Sequence, residues 1–180
     1  MKPKEMLPEN QATTHDPIAL HFAQATMSDV VPTLAVVTAA AEWLIAHGNH
    51  QWAVQTTPAF HQRMCGYIAE GKVWVAHAPN GAVAGTFRVE WDDDDFWPGA
   101  RDAVHVYTLA TNPAFRGRRI GERMLDWAGV VARAANKTWI RLDCRADNPA
   151  LLDYYTACGF RYKGEAAWEG LPYALFQRLA

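Results

Sequence analysis

The sequence predicts an α/β sandwich, a single domain built around a mixed sheet flanked by helices. Three observations carry this expectation. Two β-rich runs, "KVWVAHA" at 72–78 and "AVAGTFRVEW" at 82–91, enclose the hairpin signal "PNG", and a third run, "AVHVYTLA" at 103–110, follows them. Later the order becomes strand, helix, strand, the crossover that parallel neighbours require. A chain of 180 residues, 50% of them apolar, suffices for one substantial core and is short for two.

The elements follow in order. A loose leader over 1–17 has basic residues but no apolar core of signal-peptide type, and a domain over 18–180 follows it. "IALHFAQAT" at 18–26 reads as a first strand. Ser28 or Asp29 then offers an N-cap for a helix running to about His47, with Leu34, Val37, Ala41, Leu44 and Ile45 at helical spacing and Gly48 as its stop. This run contains Pro32 and Glu42, so a buried helix is expected rather than a membrane span. A second helix is expected over 58–70, with Pro58 in its first turn and Phe60, Met64, Tyr67 and Ile68 on one stripe.

After the three central strands the apolar period changes at Gly121, where Met124, Leu125, Ala128, Val131, Ala132 and Ala135 form one side of a third helix. A strand "WIRLDCR" at 139–145, a short helix from Pro149 to Ala157 ended by Gly159, and two β-like stretches near the C-terminus complete the order.

Composition narrows the function. The formal net charge is −2, and the arginines at 116–123 have no second basic run beside them, so no nucleic-acid partner is expected. Cys65, Cys144 and Cys158 form no zinc spacing, so no metal is expected, and reduced thiols suit a cytoplasmic protein. Eight tryptophans are many for this length, and several are expected to line a core, a pocket or a subunit contact.

The stretch "NPAFRGRRIGERML" at 112–125 joins a strand to a helix. First-turn N–H groups of that helix lack intrahelical acceptors and can hold a phosphate, which Gly117 and Gly121 would let approach and Arg116, Arg118, Arg119 and Arg123 could neutralise. Read alone, a solvated basic helix start fits equally well. The required ending of a Walker A loop is absent.

In order and spacing, "VYTLATNP", "RGRRIG", "ERMLDWAGVVARA", "WIRLDCRADN" and "NPALLDYYTACGF" resemble the core of the GCN5-related N-acetyltransferase (GNAT) superfamily. The resemblance is strongest over 103–160. It implies a mostly antiparallel sheet with one splayed parallel strand pair that binds acetyl-coenzyme A as co-substrate. The family's Arg/Gln-x-x-Gly-x-Gly/Ala turn matches at Arg116 and Gly121, with Arg119 at the usual central glycine, where an arginine in right-handed conformation can still donate its N–H. On this reading the cofactor contacts are Leu109, Ala110, Thr111, the run Arg116, Gly117, Arg118, Arg119, Ile120, Gly121 and Glu122, then Asn148 and Tyr155.

Tyr155, seven residues after Asn148 and four before Gly159, matches the family's general acid, and Tyr154 becomes packing. His105 is the base candidate, since strand alternation places it with Tyr107 and Leu109 on one face; Glu90, Asp92 or a water chain are alternatives. The family builds its amine pocket from regions that here contain Trp43, Gln51, Trp52, Phe60, Asp92 to Trp97 and Trp168. The implied function is acetyl transfer to a primary amine of a small molecule or peptide, by direct transfer. A non-catalytic acyl-coenzyme A sensing module is the alternative. The family's frequent pairing adds the expectation of a homodimer.

Overall fold

The computed structural model describes residues 18–49 and 51–180, so the expected leader lies outside the described residues. Strand β1 (His21–Gln24) leads through a short 3-10 turn into helix α1 (Val30–Ala46), followed by α2 (Pro58–Ala69). Strands β2 (Val73–His77), β3 (Val83–Glu90) and β4 (Ala103–Thr111) form the antiparallel meander. The crossover comprises α3 (Ile120–Ala134) and β5 (Trp139–Arg145), and α4 (Pro149–Ala157), β6 (Arg161–Trp168) and β7 (Leu171–Leu179) complete the chain.

The seven strands lie in the order β1-β2-β3-β4-β5-β7-β6, and β4–β5 is the parallel pair. Strand alternation divides the core. Phe87, Val89, Val104, Val106, Ile140, Leu142 and Cys144 face α3 and α4, whereas Val73, Val75 and Val83 face α1 and α2. The apolar segment Met27–Ala46 is long enough to span a membrane by composition, and here it packs Val36 and Val37 onto the sheet.

Local signals explain the helix starts. The Thr57 hydroxyl accepts from the Phe60 N–H at 3.2 Å, with Pro58 directly inside α2. At α1 the expected cap takes another form. The Asp29 carboxylate turns back to accept from the Thr26 N–H at 2.8 Å, so Thr26 starts the 3-10 turn and the turn feeds α1. The "PNG" turn closes as expected, with Gly81 at φ +81° and the Ala78 N–H donating to the Ala82 carbonyl.

Gly85 on β3 fixes how closely α3 can approach. A Cβ there would collide with the Met124 sulfur and lie 3.0 Å from the Ala110 carbonyl oxygen and 3.1 Å from Ile120 Cγ2. Gly85→Ala is therefore expected to destabilise the fold by about 1–3 kcal/mol through overpacking. Urea denaturation should show a lower midpoint with an unchanged slope.

Candidate functional site

The parallel pair is joined for three residues only. Ala103, Val104 and His105 pair with Trp139, Ile140 and Arg141, and beyond them β4 stays with β3 to Thr111 while β5 stays with β7 to Arg145. The two strands therefore diverge, leaving β4 backbone groups without a β5 partner. The resulting cleft has a volume of about 720 Å³ and passes between the strands to the N-terminus of α3. Leu109, Ala110, Thr111, Arg116, Gly117, Arg119, Ile120, Gly121, Asn148 and Tyr155 all line it.

A bulge in β4 gives this wall its shape. Arg88 pairs with Tyr107 and Thr86 with Ala110, so two residues of β4, Thr108 and Leu109, oppose Phe87 alone. Thr108 has φ +49°, a strained conformation for a β-branched side chain. The extra residue overturns the alternation expected from sequence: Tyr107 stays on the face of His105, while Leu109 packs against the core on the α3 side.

The turn "RGRRIG" forms the start of α3 at the cleft. Arg119 occupies the N-cap with φ 54° and ψ 32°, and its side chain makes no capping bond. This corrects the expectation of a right-handed arginine and explains why glycine suits the position, since left-handed backbone costs an L-residue about 1–2 kcal/mol. The Arg119 guanidinium, with its side chain 75% exposed, pairs with Glu122, where Arg119 Nε donates to Glu122 Oε2 at 2.6 Å. The pair holds the Glu122 side chain outside the cleft lining, and Arg118 lines a separate surface depression with Ile18 and Pro79. At the cleft, the Arg116 guanidinium lies 4.9 Å above the Trp43 ring of α1. Arg119→Gly should be more stable than Arg119→Ala by about 1 kcal/mol, because both lose the ion pair and only glycine accepts this backbone freely. Paired urea titrations check the difference.

A Cβ on Gly121 would lie 2.5 Å from the Tyr154 hydroxyl and 3.6 Å from Thr111 Cγ2. Tyr154, expected to pack away from the site, instead lines the cleft. The Asn148 Oδ1 accepts from the Leu151 N–H at 3.3 Å, capping α4 at the cleft edge. From that helix the Tyr155 ring enters between Phe160 and Phe176, with centroids at 6.0 and 5.9 Å. It is 9% exposed, and burial pushes its phenol well above the usual range, so the hydroxyl stays protonated and able to donate.

His105 does not reach this cleft. It belongs to the last paired position before the strands part, is 1% exposed, and lies beside Asp93 (Nδ1 to Oδ2, 3.7 Å) and the Trp97 ring. Burial lowers its pKa and favours neutral imidazole. Glu90 is engaged by Arg88 and Lys72. Asp92 and Asp94 pair with Arg101, and Asp94 also accepts the Gly99 N–H, so the acidic run latches its own loop. Phe60 is a core residue between α1, α2 and the sheet. Trp43, Gln51 and Trp52 do line the cleft, whereas Trp168 stands apart against Phe96, which in turn meets the cleft residue Tyr173.

Sequence reasoning missed Tyr107, Asn112, Asp143 and Tyr173, all cleft residues. Asn112 was readable as an Asx turn before Pro113: its Oδ1 accepts the Ala114 N–H at 3.0 Å, and its Nδ2 donates to the Val83 carbonyl. Among the described residues, no group of three or more His, Cys, Asp or Glu side chains is placed to hold a metal.

Comparison with known proteins agrees with this geometry. Residues 39–160 match the model of the acetyltransferase (GNAT) family. An uncharacterized N-acetyltransferase of Bacillus subtilis (strain 168), YesJ, is 29% identical over 163 residues, covering 86% of this chain and 87% of its own. A GNAT-family acetyltransferase from Listeria monocytogenes 4b F2365 has a TM-score of 0.75 at 21% identity, over 89% of this chain and 95% of that one. The yncA protein of Salmonella typhimurium, solved with its cofactor acetyl-CoA, has a TM-score of 0.65 at 18% identity, over 89% and 94% of the two chains. With a matched region spanning most of the sheet and the start of α3, the chain belongs to the acetyltransferase (GNAT) family.

Proposed function

We propose that this protein transfers the acetyl group of acetyl-CoA to a primary amine, by direct transfer within the cleft between β4 and β5. One observation carries the reading: the parallel strands separate after His105 and Arg141, and the N-terminus of α3 stands at the mouth of the gap. The chain's residues fit the co-substrate. The Tyr154 hydroxyl lies against Gly121, 2.5 Å from where a Cβ would stand, first-turn N–H groups of α3 suit a phosphate, and Arg116 adds a charge at the same end. Unpaired backbone groups around Leu109 to Thr111 can bond an extended amide arm and polarise a carbonyl.

Acetyl-CoA supplies a thioester, whose carbonyl carbon the amine attacks. Tyr155, which burial keeps protonated, then donates its hydroxyl proton to the departing thiolate. Apolar walls from Leu109, Ile120, Leu142 and Leu151 limit water near the bond being made. Isothermal titration with acetyl-CoA should give saturable 1:1 binding, and a panel of amines followed by thiol release should identify an acceptor. A folded sample that does not bind at millimolar ligand would overturn the reading. Tight binding without turnover on any amine would favour a non-catalytic module instead.

A further inference from the structure

Past the last paired position of the parallel strands, Tyr107 on β4 and Asp143 on β5 are the next residues on the face toward α1 and α2. Both line the cleft. Their neighbours Val106, Leu142 and Cys144 point the other way, into the core that contains Tyr155. The strand gap thus has a carboxylate on one side of the sheet and a phenol on the other. An acyl group lying between the strands would meet an amine from the Asp143 side and lose its thiolate toward the Tyr155 side.

We propose that Asp143 is the general base of this enzyme, taking the proton from the substrate ammonium at the fork of β4 and β5. This rests on the acetyl-transfer reading above. The basic side chains nearby are occupied elsewhere, which leaves the carboxylate available. Arg88 is bound to Glu90 and held between the Tyr67 and Tyr107 rings at 4.4 Å from each. Arg141 pairs with Asp102 at 3.0 Å, and Arg145 with Asp147 at 2.5 Å.

The charges acting on Asp143 are those of Asp93 from the acidic loop and Arg88 from β3, and its own carboxylate raises the phenols that face it, Tyr107 from β4, Tyr173 from β7 and Tyr155 from α4. Burial, helped by the Asp93 charge and opposed by Arg88, pushes its carboxyl up to about 7. A base so placed is ionised at slightly alkaline pH and is far stronger than an ordinary aspartate.

The step balances. Asp143 takes one ammonium proton and passes it to solvent, and the freed lone pair forms the C–N bond as the C–S bond breaks. The thiolate takes the Tyr155 proton. A second proton leaves the nitrogen as the amide forms and returns through cleft water to the Tyr155 oxygen. The products are the amide, the free thiol and one proton released.

The test combines a rate profile with a direct titration. Single-turnover acetyl transfer by the wild type should rise with pH to a plateau with a midpoint near 7, since protonated Asp143 cannot act. Asp143→Asn should lose about 100- to 1,000-fold at pH 8 and lose the limb, with acetyl-CoA affinity within a few-fold by calorimetry. Asp143→Glu should restore part of the rate together with the limb. Carboxyl carbon NMR, with Asp143→Asn to assign the resonance, should place the Asp143 midpoint near 7 without any substrate. An Asp143→Asn rate within a few-fold of wild type, or a carboxyl midpoint near 4, would overturn the assignment of the base. A wild-type protein that binds no acetyl-CoA and acetylates no amine would remove the broader reading and this one with it.

Discussion

Gly121→Asp is expected to weaken acetyl-CoA binding by about 100- to 1,000-fold while leaving the protein folded. The position is the second residue of α3, and any side chain there projects toward the Tyr154 hydroxyl and Thr111 at the cleft wall. The added carboxylate would stand where a phosphate is expected. Two like charges about 4 Å apart, at an effective dielectric near 20, repel by about 4 kcal/mol, which corresponds to roughly three orders of magnitude in Kd. Helix stability does not confound the result, because an acidic side chain in the first turn is favourable by about 0.3–1 kcal/mol.

Steric and electrostatic parts separate with two companions. Gly121→Ala retains the collision without the charge, and adding Tyr154→Phe removes the atom 2.5 Å from the new Cβ. Calorimetry should rank affinities as wild type, then the double variant, then Gly121→Ala, then Gly121→Asp. Unchanged affinity in a folded Gly121→Asp protein would show that "RGRRIG" is not a phosphate cradle, and the functional reading would lose its first step.

Tyr155→Phe should act on a different measurement. It preserves a ring that packs against Tyr154, Phe160 and Phe176, and it removes one hydroxyl. Acetyl-CoA affinity should stay within a few-fold, while single-turnover transfer falls by roughly 10- to 10⁴-fold where proton donation limits the rate. Single-turnover conditions separate chemistry from product release. The pH dependence has a definite sign. Burial raises the phenol above its ordinary value of 10.0, so it remains protonated throughout the neutral and mildly alkaline range. Loss of the acid should therefore cause no decline in wild-type rate up to about pH 10. An intact rate in Tyr155→Phe would exclude the hydroxyl as the required donor. Tyr154→Phe is the comparison variant, since its hydroxyl approaches the cradle at Gly121 rather than belonging to the core beside Cys144.

Much of the proposed cradle was legible because its signals are local. Helix start, glycine spacing and the Asn148-to-Tyr155 interval lie within short segments, and the structure brings Arg116, Gly117, Gly121, Asn148 and Tyr155 to one cleft. Two arginines in the same run, Arg118 and Arg119, illustrate the boundary of such reading. Arg118 lines a different depression and Arg119 is held by Glu122, and neither direction follows from charge or spacing.

The proposed base was harder to read than the proposed acid. His105 is attractive by residue type, yet its position before the divergence of the strands buries it away from the cleft. Asp143 carries no motif. Its exposure to the cleft depends on β4 leaving β5 after the third pair, and its raised pKa depends on burial beside Asp93 from a loop about 50 residues earlier.

By itself the sequence determined the order of strands and helices, the crossover, the turn at "PNG" and the helix stripes. These follow from side-chain period, capping and backbone restriction within a few residues. The β5 strand and α4 begin and end where the sequence placed them. Only the tertiary structure decided where the parallel pair opens, that a bulge turns Leu109 away from the face of Tyr107, and that Arg119 bends into left-handed backbone. The first two depend on pairing between segments distant in the chain. A strand's alternation specifies two faces, but the partner strands and the helices packed on them decide which residue meets the core, the cleft or an opposing charge.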